Sequence, residues 1–214
     1  QFPRHSEGRE SKMKKDSFIK DALVLTAITL ISGLLLGAVY GMTKDTIAEA
    51  IKEKTNAAYK VVLDAADYDA DSLKESLEKA NTEGKIAADN GKATLTEAIV
   101  AKDQSGNPVG YVLKGSAAGY GGAVVVVVGV SSDLKVTGIS FPETLPETAG
   151  LGQKATLPEF YEQFKGKGTK LSVKKGGGAG ENEIDAISGA TITSTAVTNV
   201  VNAATEFVED YAAK

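Results

Sequence analysis

The ten residues Asp185-Ala186-Ile187-Ser188-Gly189-Ala190-Thr191-Ile192-Thr193-Ser194 concentrate the chemistry this chain can offer. Four hydroxyls, those of Ser188, Thr191, Thr193 and Ser194, stand among small residues just before a stretch of helical periodicity. The first backbone N–H groups of a helix have no internal partner and lie at the positive end of its dipole. A phosphate group is stabilised at such a place. Gly189 has no Cβ to obstruct an approaching ligand. Residue types alone leave two readings open. Either the stretch cradles a phosphate, or Thr193 or Ser194 is simply the N-cap of the helix.

Composition narrows the rest of the chemistry. The 214 residues include no cysteine, which excludes disulfides, thiolate zinc sites, iron–sulfur clusters and a lipoprotein anchor on this chain. The single histidine is His5, in a polar leader, so the body can form neither a Ser-His-Asp triad nor a His-ligated metal site. Chemistry must come from carboxylates, hydroxyls or a cofactor with its own reactivity. No G-x-G-x-x-G follows a strand and opens a helix, so no NAD site is expected. Residues 1–20 carry a net charge of +3 and residues 22–214 a net charge of −6. Binding to nucleic acid needs clustered Lys and Arg, so this acidic body is not expected to take it as a partner.

The elements that position the stretch begin with a membrane span. Ala22 to Thr43 are 22 residues without a charge. At about 1.5 Å per residue they reach roughly 33 Å, the thickness of a bilayer core of about 30 Å. A transmembrane helix in contact with lipid is expected over residues 21–43. Basic residues crowd its N-terminal flank, and the other flank is balanced. The positive-inside tendency then puts residues 1–20 in the cytoplasm and residues 44–214 outside it, as a single-pass protein of the cell (inner) membrane. Gly33, Gly37 and Gly41 share one helix face and allow another membrane helix to approach, so membrane partners are expected. Residues 1–12 are polar and aperiodic, and Met13 reads as a natural start. No functional weight falls on them.

The body reads as one α+β domain, a mainly antiparallel sheet flanked by helices. Helical patterning continues from Thr46 to about Ala66. Asp67–Ser72 reads as a solvated turn, since its carboxylates are out of register for a calcium loop, and no metal site is expected. Ser72–Lys79 can form a short helix capped by Ser72, with Glu75 three residues on. Glu97–Lys102 and Val109–Lys114 flank turn residues and read as a hairpin. Gly119-Tyr120-Gly121-Gly122 is a tight loop. Ala123–Val128 has no polar alternation, which suits a central strand covered on both faces. Leu134–Ile139 is a further strand, and residues 142–152 form a loop. Leu157–Lys165 suits a helix with Pro158 in its first turn. Lys165–Gly180, rich in Lys and Gly, reads as a mobile loop by default, with a contact to an acidic partner or phosphate as the sharper alternative. Val197, Val200, Val201, Ala204, Phe207, Val208 and Tyr211 fall at helical spacing and predict a helix packed on the sheet.

Asp185-Ala186-Ile187-Ser188-Gly189-Ala190-Thr191 resembles the flavinylation motif of the FMN-binding domain family: Asp, two spacers, then Ser/Thr-Gly-Ala-Thr. In that family a flavin transferase takes FMN from FAD and joins its phosphate to the last threonine as a phosphoester. The resemblance therefore implies covalent FMN on Thr191. Asp185, Ser188, Gly189, Ala190 and Thr191 would be the element the transferase recognises, and Ser188, Gly189, Ala190, Thr193 and Ser194 would surround the cofactor. The membrane helix, Gly119–Gly122 with its valine strand, Glu147-Thr148-Ala149-Gly150-Leu151-Gly152 and the final motif occur in the family's order. Ala149 departs from the proline usual in that loop. The resemblance makes Thr148, Leu151 and Gly152 candidate contacts to the flavin ring or ribityl chain. The whole pattern is similar to the G subunits of Rnf complexes and to the C subunits of sodium-pumping NADH:quinone reductases. It implies a redox subunit, not catalytic on its own, that relays electrons between ferredoxin and NAD in a complex moving sodium or protons. Its expected partners are the other membrane subunits, plus the transferase for maturation. The rivals are a quinone-reductase subunit or another extracytoplasmic flavin electron carrier. A third is a membrane-anchored binding or structural domain in which Ser188–Ser194 is only a helix cap.

Overall fold

The computed structural model describes residues 7–212, with side chains described outside 7–19, 45–46 and 48–58. His5 and the start of the polar leader lie outside the described residues, as do the side chains of Ile51, Ala57 and Ala58. The chain divides into two compact units, Gln1–Lys52 and Glu53–Lys214.

Helix α1 runs over Glu7–Val62. Within it Lys20–Lys44 is long and apolar enough to cross a membrane, and none of that stretch is buried by the protein. Three threonine hydroxyls of the span are satisfied locally. Thr26 Oγ1 donates to Ala22 O at 2.8 Å, Thr29 Oγ1 to Leu25 O at 3.1 Å and Thr43 Oγ1 to Val39 O at 2.8 Å. A helix that pairs all its backbone internally and folds its hydroxyls back is what hydrocarbon demands. Nothing lies within 4 Å of where a Cβ would stand on Gly33, Gly37 or Gly41, so the small-residue face is open.

The body is α+β. Strands β1 (Asp67–Asp69), β2 (Thr94–Lys102), β3 (Pro108–Ala118), β4 (Ala123–Ser131) and β5 (Val136–Ser140) form an antiparallel sheet in sequence order. Helices α2 (Lys74–Glu83) and α3 (Lys85–Asp89) precede β2. After β5 come a 3₁₀ turn (Gly152–Thr156), α4 (Pro158–Tyr161), strands β6 (Ser172–Lys174) and β7 (Glu183–Asp185), and helix α5 (Thr191–Phe207).

Side chains alternate across a strand with period two, so the valine run of β4 serves two cores. Val124, Val126, Val128 and Val130 join Leu113 and the α5 residues Val197, Val200, Val201, Ala204 and Phe207. Val127 joins Ile99 and Val112 on the opposite face, under Tyr59 and Val62. Thr137 Oγ1 donates to Val62 O at 2.5 Å and Tyr68 Oη to Leu63 O at 2.6 Å, which fixes the end of α1 to the sheet. Tyr59 donates to the Glu97 carboxylate, and its burial pushes the phenol well above the ordinary tyrosine range.

Three local expectations are corrected. Asp67–Ser72 is not wholly a turn, because Asp67–Asp69 pairs with the end of β2. Ser72 does not cap α2, which starts at Lys74 after the buried Leu73. No side chain caps α2; Asp69 instead braces the turn ahead of it, its Oδ1 accepting from Asp71 N–H and Ser72 N–H, both at 3.1 Å. Lys165–Gly180 is not an unstructured loop. β6 pairs in parallel with β7. Leu171 is buried, and the Asn202 amide brackets its backbone with two bonds of 2.8 Å. Lys167 Nζ closes the loop onto Gly180 O at 2.9 Å and Glu181 O at 2.8 Å.

The Lys102 ammonium, 2.6 Å from Asp69 Oδ2, holds the Asp69 carboxyl below its ordinary range, helped by Ser72 Oγ and the two N–H donors. A depressed carboxylate contributes stability that is complete above its unfolded value and is lost as pH falls through the folded one. Asp69→Asn is therefore expected to melt earlier than the wild type at neutral pH. The gap should close as both are titrated into strong acid, as read by melting temperature against pH.

Candidate functional site

Helix α5 begins at Thr191, with Ala190 as its N-cap at φ −132° and ψ 44°, and no side chain caps it. The expectation that Thr193 or Ser194 is the N-cap is thus corrected. Ser194 is fully buried one turn inside the helix. Its Oγ accepts from Ile187 N–H at 3.0 Å and donates to Ala190 O at 3.0 Å. The hydroxyl staples the approach turn to the helix and leaves the first helical N–H groups without a side-chain acceptor. Ser194→Ala strands the Ile187 N–H and is expected to cost about 1–3 kcal/mol, readable by denaturant unfolding.

Gly189 sits at φ +77°, a backbone conformation that L side chains rarely adopt, and this reversal delivers the chain from β7 to the helix start. Thr191 at the first helical position is half-buried. It lines a cavity of about 520 Å³ together with Gly189, Ala190, Ile192 and Thr193 from the same stretch. Thr148, Leu151 and Gly152 line it from the loop after β5, and Tyr120 and Glu147 complete it. Seven of the residues singled out in the sequence thus converge: Gly189, Ala190, Thr191, Thr193, Thr148, Leu151 and Gly152. Ser188 is exposed and Ser194 buried, and neither lines the cavity. Asp185 lies ahead of it on β7, where its Oδ1 accepts from Ala179 N–H at 2.9 Å.

Tyr120, Glu147 and Ile192 are lining residues that sequence reasoning did not single out individually. Glu147 is buried, and its Oε1 accepts from Tyr120 N–H at 2.8 Å. That bond ties the β3–β4 turn to the start of the loop after β5. The only available signal was Glu147's place at the head of Glu-Thr-Ala-Gly-Leu-Gly.

The cavity is polar within and apolar at its mouth. Thr193 Oγ1 is buried and has no hydrogen-bond partner among the described residues. A buried hydroxyl normally finds one, so this atom marks a place where a ligand group would complete the bonding. At the rim Tyr120 is 74%, Ile192 53% and Leu151 42% exposed, unusual for large apolar side chains grouped together. Such a site suits an anionic group at the helix start and a flat apolar ring at the mouth.

A family profile described as FMN-binding domain matches residues 119–206, and one described as RnfG N-terminal region matches residues 13–62. The chain is 38% identical to the G subunit of the Na(+)-translocating ferredoxin:NAD(+) oxidoreductase complex of Acetobacterium woodii, over 86% of this chain and 87% of the relative. It is 34% identical to the G subunit of the proton-translocating ferredoxin:NAD(+) oxidoreductase complex of Clostridium ljungdahlii, over 87% and 89%. Among solved structures it is similar to the C subunit of the Na(+)-translocating NADH-quinone reductase of Parabacteroides distasonis, at 28% identity. That match has a TM-score of 0.47 and covers 64% of this chain and 68% of the other. The length and identity of the matches to the relatives are decisive: the chain belongs to the family of G subunits of ion-translocating oxidoreductase (Rnf) complexes.

Proposed function

We propose that the chain is an electron-relaying subunit of a membrane-bound ferredoxin:NAD oxidoreductase complex that translocates ions, carrying FMN joined through its phosphate to the Thr191 hydroxyl. The single observation that carries this reading is the start of α5. Thr191, uncapped helix N–H groups and the unpartnered Thr193 Oγ1 meet in one cavity. A helix cap alone would use these hydroxyls on the helix N–H groups, and none is so used.

The residues present fit FMN. Thr191 offers the hydroxyl for a phosphoester, and the uncapped first N–H groups of α5 would stabilise the remaining phosphate charge. Thr193 and Gly152 line the wall along which a ribityl chain would lie. A Cβ on Gly152 would stand 2.8 Å from Thr193 Oγ1, so glycine keeps this wall close without filling the space. Leu151, Ile192 and Tyr120 form an apolar rim that would hold the ring and exclude water from one side of it. FMN, when bound, accepts and releases electrons singly or in pairs. A phosphate tether at Thr191 would leave the rim residues Tyr120, Leu151 and Ile192 as the groups that hold the ring.

Lys20–Lys44 would anchor the body to the membrane as a single span, with residues 1–20 cytoplasmic and the body outside. The test is made on the purified complex. Reduced ferredoxin should bleach the visible flavin absorbance assigned to this chain, and NAD should restore it. Protease added to cells lacking an outer barrier should cut the body. A chain that isolates with its complex but without flavin would overturn the relay, and a fully protected body would overturn the orientation.

A further inference from the structure

The Glu147 carboxylate is wedged between two glycines of separate loops. A Cβ on Gly119 would come within 2.3 Å of its Oε1, and a Cβ on Gly152 within 2.6 Å of its Oε2. Two glycines on separate loops therefore leave a slot for this one side chain. The residue is 8% exposed, and Tyr120 N–H is its hydrogen-bond donor at 2.8 Å. Among the described residues no lysine or arginine stands within ion-pair distance of it. A buried carboxylate with so little compensation is costly, and apolar or amide side chains could link two loops at less cost. The carboxylate also lines the cavity that holds Thr191 and Thr193.

We propose that Glu147 is a positioning residue that also acts electrostatically. It locks the Gly119–Gly122 turn to the loop of residues 147–152 across the cavity, and its negative charge lowers the reduction potential of the flavin held there. The second half rests on the FMN reading above. The lock follows from geometry. Tyr120 lies on the rim in a turn closed by Gly119 N–H to Gly122 O at 2.8 Å, and Glu147 Oε1 accepts from its backbone N–H across the cavity. The electrostatic half follows from sign. A fixed negative charge beside a group that gains electrons disfavours its reduced form, and low effective dielectric in a buried site strengthens the effect.

Two variants of the full chain separate the halves. Glu147→Gln keeps a carbonyl oxygen for Tyr120 N–H and removes the charge, whereas Glu147→Ala removes both. A redox titration of the flavin in the assembled complex should show a more positive midpoint potential in both variants. Hydrogen exchange is measured on the chain made flavin-free by Thr191→Ala. There the Tyr120 amide should be as protected with Glu147→Gln added as without it. With Glu147→Ala added it should exchange roughly tenfold faster or more. A potential unmoved or more negative in Glu147→Gln overturns the charge role. Unchanged Tyr120 protection in Glu147→Ala overturns the lock. Absence of flavin from the wild-type complex overturns the functional reading and the charge role with it, and the exchange arm still decides the lock.

Discussion

Thr191→Ala is expected to abolish covalent flavin completely while leaving the fold intact. On a denaturing gel the wild-type chain should give a fluorescent flavin band under ultraviolet light, and the variant none. The structure makes the variant a clean one. Thr191 is half-buried at the first position of α5, where the side chain supports no described hydrogen bond and no cap. Ala190 and Ser194 set the helix start instead. Loss of the band with melting temperature unchanged assigns the effect to the hydroxyl. Thr191→Ser keeps the hydroxyl on Cβ and is expected to retain some of the fluorescence. A bright band in Thr191→Ala would move the attachment elsewhere, with exposed Ser188 the first alternative.

The second large effect is expected at a residue with no functional group at all. A Cβ on Gly121 would stand 2.0 Å from Pro146 O. The obstacle is backbone, so no rotamer change relieves it, and one of the two loops must move. Overpacking of this kind costs about 1–3 kcal/mol and displaces the neighbouring chain. The neighbouring chain here is Pro146-Glu147, so the displacement also pulls the Glu147 carboxylate from Tyr120 N–H. Gly121→Ala is expected to lower stability in denaturant unfolding by an amount near the top of that range. It should also spread the cavity mouth, read as faster exchange of the Tyr120 amide. Stability and exchange both at wild-type values would show that the two loops are not in the described contact.

What the sequence revealed of this fold and site, and what it hid, divides along local and non-local lines. The valine run of β4, the β2–β3 hairpin and the apolar stripe of α5 are local periodicities, and each lies where its pattern put it. Asp67–Asp69 hid its strand because its ladder partner begins at Lys102, far along the chain. The Lys- and Gly-rich segment hid β6 because its order comes from Asn202 on α5 and from its pairing with β7. At the site, spacing and residue type located the stretch Asp185–Ser194 but misjudged where the helix begins. Serine and threonine are favoured caps, and only the fold shows that Ser194 turns its hydroxyl toward Ile187. Glu147 was legible as part of a motif but not as a cavity wall. Its partner Tyr120 lies 27 residues away, and the slot between Gly119 and Gly152 exists only once both loops are folded.

The most direct measurement is the mass of the proteolytic peptide containing Thr191, taken from the chain matured with its flavin transferase. An uncapped helix start, an unpartnered Thr193 hydroxyl and an apolar rim, taken together as a flavin site, require that peptide to be heavier by FMN less one water. Fragmentation should place the added mass on Thr191. An unmodified Thr191 peptide from a chain that has met both transferase and FAD would show that this cavity does not carry the cofactor.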